Sequence, residues 1–281
     1  MRHMGEEAFA HVPISAVQDF WNAHPCNIRH SPQPIGTREY FDDVERRKYF
    51  VEPHIPVFAD FNRWSGARVL EIGCGIGTTT LSFARAGAQV TAIDLSSESA
   101  ALTRQRADVY GVSDRVKVYV GDAELLSTIV PVERYDLVYS FGVVHHSPHP
   151  EAIVREARRY MDAESELRLM VYSRVSFKLF WIMKTENTWD LSRIDEIIAR
   201  NSEAATGCPV TYTYTPASVR KLLEGYRVLD VSKAHIFTWD IDAYRRYEYK
   251  KDPMWAAVSD ADLEELEQEL GWHMLVRAKL A

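Results

Sequence analysis

The stretch VLEIGCGIGTTT, residues 69–80, constrains the fold of this chain more than any other segment. A strand-like apolar run ends near Glu71, a turn with three alternating glycines follows, and threonines begin a helix-like run. Glycine lets the backbone turn sharply and approach a ligand, and a helix start presents free N–H groups. The pattern predicts a ligand-binding strand–turn–helix unit at Gly73, Gly75 and Gly77, with an ordinary strand-to-helix loop as the alternative.

Two acidic residues narrow the choice of ligand. Glu71 lies inside the turn, where a carboxylate repels a pyrophosphate but suits a ligand with an ammonium or sulfonium charge. The next strand-like run, QVTAID, ends in Asp94, at the distance along the chain where an acid that binds a ribose is expected. The two acids therefore favour a cationic ligand that carries a ribose.

Strand-like and helix-like segments alternate from Ala67 onward. This alternation predicts a parallel sheet with right-handed crossovers, which binds ligands at the carboxyl ends of its strands. Glu71, Asp94, Asp122 and Ser140 all fall at such ends. The predicted strands are 67–72, 89–94, 116–120, 135–140, 165–172, 226–237 and 273–280, and the predicted helices of this region are 77–86, 97–110, 149–161, 175–184, 191–205, a helix starting at Thr215, and 259–270.

Four segments in this order resemble the motifs of class I S-adenosyl-L-methionine (SAM)-dependent methyltransferases. They are the glycine turn, the strand ending in Asp94, the Gly121–Glu124 stretch, and YDLVYSFGVVHH from Tyr135 to His146. The resemblance implies an α/β, Rossmann-like fold with a seven-stranded, mostly parallel sheet and an antiparallel last strand. It also implies SAM as cofactor, with S-adenosyl-L-homocysteine as product. The residues expected to hold the cofactor are Glu71, Gly73, Cys74, Gly75, Gly77, Asp94, Leu95, Asp122, Ala123, Phe141 and Gly142.

The resemblance also divides the chain into an N-terminal helical lid, residues 1–65, and a SAM-binding domain, residues 66–281. Prolines and aromatic residues punctuate the first segment, in which helices are predicted at 14–22, 37–51 and 55–64. Helical insertions that form the substrate pocket are expected after strands five and six, at about 174–214 and 238–258. A helical hairpin that serves stability alone is the alternative for the first insertion.

Composition limits the partners of the protein. The net charge of −7 argues against a broad surface for nucleic acid or an anionic membrane. No secretory pattern and no uncharged run of ~18 residues are present. The 3 cysteines lie far apart without C-x-x-C spacing, so neither a disulfide framework nor a metal site is indicated. We expect a cytoplasmic enzyme with a small-molecule substrate and without a metal, nucleic-acid or membrane partner.

Methyl transfer from a sulfonium is an in-line displacement, so the protein mainly aligns the nucleophile, excludes water and accepts any proton that is released. His145 follows the fourth strand, where the substrate arrives, and histidine titrates near neutrality. Glu52 flanks a proline turn beside His54, and Tyr40 lies on a predicted helix of the lid. The candidate catalytic residues are thus His145, Glu52 and Tyr40, with capping or packing as the alternative for each.

The likeness extends beyond the core motifs. The segments FWNAHPCN, VEPHIPVFADF, SFGVVHHSP and GWHML together resemble a bacterial group of small-molecule methyltransferases of specialised metabolism, which includes enzymes that methylate carbon 3 of indole. Ser140-Phe141-Gly142-Val143 replaces the Asn/Asp-Pro-Pro-aromatic motif of enzymes that methylate amines of nucleobases. We therefore expect methyl transfer to a small aromatic or heteroaromatic metabolite, concretely to carbon 3 of an indole. O- or N-methyl transfer to another small molecule is the alternative.

Two functions of other classes remain to be compared with this one. An NAD-dependent oxidoreductase uses the same kind of sheet, but Glu71 within the turn and Thr78 in place of a third glycine argue against it. A non-catalytic SAM-binding module is expected to have broken cofactor motifs, and these motifs are intact.

Overall fold

A computed structural model describes residues 8–205 and 207–281, apart from the side chains of 202–205. Residues 1–7 of the predicted lid and residue 206 of the first insertion therefore lie outside the described residues. The described strands are β1 (Arg68–Ile72), β2 (Gln89–Asp94), β3 (Val116–Val120), β4 (Leu137–Phe141), β5 (Glu166–Tyr172), β6 (Tyr226–Ala234) and β7 (His273–Leu280).

These strands form one sheet in the order β3-β2-β1-β4-β5-β7-β6. The first five strands pair in parallel, whereas β7 lies antiparallel between β5 and β6. Alternate residues of β1 point to opposite faces, so Leu70 and Ile72 join one buried apolar cluster and Val69 joins another. The predicted α/β fold class, with its antiparallel last strand, is confirmed.

Strand bounds agree closely with the sequence prediction because the strands are continuous apolar runs. Predicted and observed bounds are identical for β2, β3 and β7. β5 is buried along its whole length, and its charged residues Glu166 and Arg168 pair with each other at 2.7 Å. The prediction for the sixth strand, 226–237, was too long. β6 ends at Ala234 because His235 has a φ of 75°, a left-handed conformation that does not continue a strand.

Eleven α-helices are found among the described residues, and both insertions contain helices. Two predicted helix starts are capped as expected: the Thr215 hydroxyl accepts from the Ser218 N–H at 3.1 Å, and the Ser259 hydroxyl accepts from the Asp262 N–H at 3.1 Å. In the described part of the chain, no helix is both long enough and apolar enough to cross a membrane. The helices are α1 (Ile14–Ala23), α2 (Arg38–Val51), α3 (His54–Ala59), α4 (Thr78–Arg85), α5 (Ser97–Tyr110), α6 (Pro150–Ala157), α7 (Phe177–Thr185), α8 (Ile194–Ala205), α9 (Pro216–Leu222), α10 (Ile241–Arg245) and α11 (Asp260–Leu270).

Helix α2 is held against α4 and α5 by a buried arginine. Arg106 on α5 is 1% exposed and donates to the Thr78 hydroxyl at 2.8 Å and to the Phe41 carbonyl at 3.0 Å. Its guanidinium also lies 3.2 Å from the Glu45 carboxylate. The Arg106 side chain thus joins α2, α4 and α5. It is the hydrogen-bond donor to the Thr78 hydroxyl and the Phe41 carbonyl, which are costly to bury without a partner.

We predict that Arg106→Met destabilises the protein by about 3 kcal/mol, because the apolar stem is kept while the buried acceptors lose their donor. Urea unfolding followed by circular dichroism measures this loss. Arg104→Met on the exposed side of α5 is the matched control, for which we expect a change within about 0.5 kcal/mol. Equal losses for the two variants would contradict the buried link.

Candidate functional site

The glycine turn connects β1 to α4 and is shaped by left-handed backbone. Gly73, Gly75 and Gly77 have φ angles of 81°, 54° and 78°. The Gly73 N–H donates to the Ile93 carbonyl at 2.7 Å, which fixes the turn to the end of β2. A β-carbon at Gly73 would lie 2.1 Å from a methyl carbon of Val143, so only glycine fits this close approach. The backbone of the turn is therefore held rigidly at the carboxyl ends of the strands.

Glu71 lies beneath the turn and not on the surface that faces a ligand. Its carboxylate is 1% exposed and accepts hydrogen bonds from the Thr79 and Thr80 hydroxyls at the start of α4. Burial raises the pKa of Glu71 to about 7, against the lowering effect of these hydroxyls. Glu71 thus supports the start of α4, and its contact with the cation of a ligand stays a prediction.

Asp94 and Asp122 stand at neighbouring strand ends. The two Asp94 oxygens accept from the Gly75 N–H at 2.8 Å and the Ser96 N–H at 2.9 Å. Burial raises the pKa of Asp94 to about 6, although both amides favour its ionised form. Asp122 accepts from the Glu124 N–H at 2.8 Å, and burial raises the pKa of this carboxyl as well. Each ionised carboxylate keeps free lone pairs for ligand hydroxyl groups.

A cavity of about 280 Å³ opens between the glycine turn and the N-terminal helices. Two of the predicted cofactor residues, Glu71 and Gly77, do not line it. Gly77 instead is the N-cap residue that precedes α4, with Thr103 packed beside it. The predicted cofactor residues that line the cavity are Gly73, Cys74, Gly75, Asp94, Leu95, Asp122, Ala123, Phe141 and Gly142. Other lining residues, several of them aromatic or charged, include Val17, Trp21, Lys48, Glu52, His146, Tyr172 and His273.

Glu52 alone of the three predicted catalytic residues lines this cavity. His145 is fully buried, and its ring lies 3.9 Å from the Tyr172 ring at an interplanar angle of 43°. Neither ring nitrogen has a hydrogen-bond partner among the described residues. Burial holds the pKa of His145 well below its usual value. Tyr40 is also fully buried, and its hydroxyl donates to the Ile28 carbonyl at 2.8 Å. The structure therefore gives His145 and Tyr40 packing positions, and His146 replaces His145 on the cavity wall.

Three histidines gather around Glu52, an arrangement that the sequence alone did not reveal. His273 Nε2 lies 3.7 Å from Glu52 Oε1, and His273 Nδ1 lies 2.9 Å from His54 Nε2. The His235 ring stacks on the His273 ring at 4.7 Å. Burial lowers the pKa of His54 to about 4 and that of His235 to about 3, so these imidazoles are neutral near pH 7. The sequence signal that could have indicated this group is a histidine within each of the otherwise apolar runs KAHIF and GWHML, namely His235 and His273.

Comparisons with known proteins agree with this geometry. Residues 69–164 match the family model described as "Methyltransferase domain". A ubiquinone biosynthesis O-methyltransferase from Xanthomonas oryzae pv. oryzae is 37% identical over 112 residues, which are 39% of this chain and 45% of that protein. The chain thus matches less than half of the length of this relative. Residues 69–164 are therefore similar to a methyltransferase domain.

Solved structures show the same fold over almost the whole chain. A magnesium protoporphyrin IX methyltransferase from Synechocystis PCC 6803 with bound S-adenosylhomocysteine has a TM-score of 0.60, with 15% identity over 96% of this chain and 100% of that one. The mitomycin 7-O-methyltransferase has a TM-score of 0.52, with 16% identity over 87% of this chain and 57% of that one. At these identities the likeness concerns the fold alone.

We predict that Glu71 makes the stability of the protein fall as pH rises from about 4.5 to about 7. The folded carboxyl has a raised pKa of about 7, against the usual 4.5, so in this window the folded state holds a proton that the unfolded chain releases. Above the window the stability stays lower. Glu71→Gln removes this contribution, so the fall should shrink by about 1–3 kcal/mol.

Urea unfolding at several pH values across the window measures the effect. Glu98→Gln, on the exposed first turn of α5, is the control and should leave the fall unchanged. An equal pH dependence in wild type and Glu71→Gln would show that the carboxyl is ionised throughout.

Proposed function

We propose that this protein, whose residues 69–164 match a methyltransferase domain, transfers the methyl group of SAM to a small aromatic or heteroaromatic metabolite. The observation that carries the proposal is a cavity whose lining includes two chemically different sets of residues, which we assign to two halves. One half presents the glycine turn with Asp94 and Asp122, and the other presents Trp21 and Tyr172. A cofactor in the first half would direct its sulfonium toward an acceptor in the second.

The residues assigned to the first half suit the parts of SAM. Asp94 has free lone pairs for the two ribose hydroxyls, and its carboxylate is already fixed by two amides. Asp122 and Ala123 adjoin the adenine position of the proposed binding mode. Phe141 and Gly142, at the end of β4, line the path of the methionine arm. Glu71 supports this half from below, since it contacts the hydroxyls of α4 and not the cavity.

The second half suits a flat and largely apolar acceptor. The Trp21 ring lies 5.3 Å from the His146 ring, and the Tyr172 ring stacks on Trp272 at 4.3 Å. Aromatic faces of this kind bind planar rings by stacking and by edge contacts. Trp21 comes from α1 and Glu52 from the end of α2, so residues of the N-terminal segment complete the acceptor side. This placement supports the proposed lid at residues 1–65.

Carbon 3 of an indole is the concrete acceptor that we propose. This carbon is nucleophilic without prior ionisation, so methyl transfer needs alignment more than a strong base. The cation that forms loses the ring N–H proton, and a nearby acceptor assists this loss. Glu52 is the predicted catalytic residue that lines the cavity. In this proposal its carboxylate accepts the proton.

An oxygen acceptor is the second candidate, and the sequence relatives favour it. The Xanthomonas protein that matches residues of the core is an O-methyltransferase, and a phenol is as flat as an indole. A phenol must lose its proton before or during transfer, so it places a larger demand on the polar groups beside the acceptor. The position of the new methyl group distinguishes the two candidates.

We predict that the protein binds S-adenosylhomocysteine and that Asp94→Asn weakens this binding about 10- to 100-fold. The reason is the loss of a charge-assisted hydrogen bond to ribose, worth about 1.5–3 kcal/mol. Isothermal calorimetry measures the affinity, and Asp114→Asn on the exposed surface is the control, which should bind like wild type. Unchanged binding in Asp94→Asn would contradict the ribose contact.

Product analysis then tests the acceptor. The protein is incubated with SAM that carries an isotope-labelled methyl group and with 3-substituted indoles, phenols and amines. An NMR signal for a methyl group on a quaternary ring carbon is the expected result. An O-methyl or N-methyl product would refute the indole assignment, and binding of NADH without SAM would refute the transferase.

We also predict that residues 14–60 close over the cofactor. Val17, Trp21, Lys48 and Glu52 all lie in this range and line the cavity, so a bound ligand bridges the segment and the sheet. Backbone hydrogen exchange in residues 14–60 should therefore slow when S-adenosylhomocysteine is added. Exchange in α11, whose residues do not line the cavity, serves as the internal reference. Equal exchange with and without ligand would contradict closure and would show that the segment is a fixed part of the cavity.

A further inference from the structure

We propose that Glu52, His235 and His273 form a binding site for one divalent transition-metal ion at the acceptor side of the cavity. Among the described residues, these three side chains can each offer one ligand atom, and the atoms all lie within 4.8 Å of one another. Imidazole nitrogens with one carboxylate favour zinc, iron, cobalt or nickel over magnesium or calcium. The binding of the ion does not depend on the proposed methyl transfer, whereas its role in catalysis rests on that function.

The distances fit a common ion after small side-chain movements. A four-coordinate zinc site has ligand bonds of about 2.0–2.2 Å, which places two of its ligand atoms about 3.4 Å apart. Glu52 Oε1 and His273 Nε2 are 3.7 Å apart, close to that separation. The 4.8 Å limit for the whole group leaves roughly an ångström for the third donor to move inward.

His54 can prepare His273 to bind a metal. Its Nε2 lies 2.9 Å from His273 Nδ1, so the two rings share one proton in a hydrogen bond. When His273 Nδ1 donates that proton, the lone pair of His273 Nε2 is free and faces Glu52. Metal-binding histidines usually donate their second ring N–H to such a partner, which fixes ring orientation and tautomer. His54 is therefore a positioning residue of the proposed site.

The backbone places His235 in this group at a cost. His235 has a φ of 75°, a left-handed conformation that is unfavourable for a residue with a β-carbon. The next residue, Ile236, donates its N–H to Glu267 of α11 at 2.9 Å, which holds the loop in place. The His235 ring stacks on the His273 ring at 4.7 Å. An uncommon backbone conformation that holds one histidine beside another supports a ligand site here.

The site opens toward the cavity. Glu52 and His273 line the cavity wall, whereas His235 and His54 lie outside the lining. An ion held by three side chains would thus keep at least one coordination position for a group inside the cavity, as in catalytic zinc sites. An acceptor oxygen in that position would lose its proton more readily, because the ion stabilises the anion. In the proposed function, this would favour acceptors with a hydroxyl group beside the methylated atom.

The test is a titration of the full-length protein with Co²⁺, after chelator treatment and removal of the chelator. Visible absorption reports the coordination of cobalt, and competition with Zn²⁺ gives the affinity of zinc. We expect one ion per chain in wild type, loss of the cobalt spectrum in His235→Gln and Glu52→Gln, and an affinity lowered about 10- to 100-fold in His54→Gln.

A matched control is present on the surface of the protein. His149 Nδ1 lies 3.7 Å from Glu151 Oε1, the same separation as in the proposed site, but both side chains are exposed and no third ligand joins them in the part of the chain that the structure describes. His149→Gln should therefore leave cobalt binding unchanged. Circular dichroism and urea unfolding verify that each variant remains folded.

Three results would overturn the proposal: no stoichiometric cobalt binding by the wild type, an unchanged cobalt spectrum in His235→Gln, or loss of binding in His149→Gln. The outcome is separate from that of the proposed function. Failure to bind S-adenosylhomocysteine would contradict the methyltransferase proposal and leave the metal site unaffected. Methyl transfer without metal binding would contradict the metal site and leave the methyltransferase proposal unaffected. If both occur, methyl transfer that is unchanged by chelation would remove the catalytic role of the ion.

Discussion

The close contact between the Gly73 backbone and Val143 is the constraint on which the site depends. A β-carbon at this position would lie 2.1 Å from a methyl carbon of Val143, so the contact exists only because the residue is glycine. The same residue donates its N–H to the end of β2, and Val143 follows β4. Three strand ends are thereby fixed relative to one another. The cavity has a defined shape because the floor of its cofactor half cannot shift without breaking this contact.

Buried carboxylates serve as internal supports of this floor. Glu71 receives two threonine hydroxyls from α4, and Asp94 receives an amide of the glycine turn. Burial of an acid is unfavourable, as the raised pKa of each carboxyl shows, and the hydrogen bonds offset part of this cost. The two carboxylates differ in their access to a ligand in the cavity. Asp94 reaches the cavity, whereas Glu71 uses its oxygens for the protein itself.

Sequence reasoning succeeded where one local pattern determines the structure. The strands, the helix caps and the glycine turn are each encoded within a few consecutive residues, so their bounds followed from periodicity and turn chemistry. Adjacent residues such as His145 and His146 could not be assigned correctly, because the side that each faces depends on a short 3₁₀ turn after β4. The group of Glu52, His235 and His273 escaped notice because its members lie far apart in the chain and meet only through the sheet. The end of β6 was missed since a left-handed histidine has no strong local signal.

The position of β7 has a consequence for how the protein is assembled. β7 follows β6 in the chain but lies between β5 and β6, so β6 has no strand to pair with on the sheet until β7 has been synthesised and inserted. His273, the first residue of β7, also belongs to the cavity wall. Completion of the sheet and completion of the acceptor side are therefore one event. During synthesis, strands β1 to β5 can pair early, but the wall of the cavity is not complete before β7 joins the sheet.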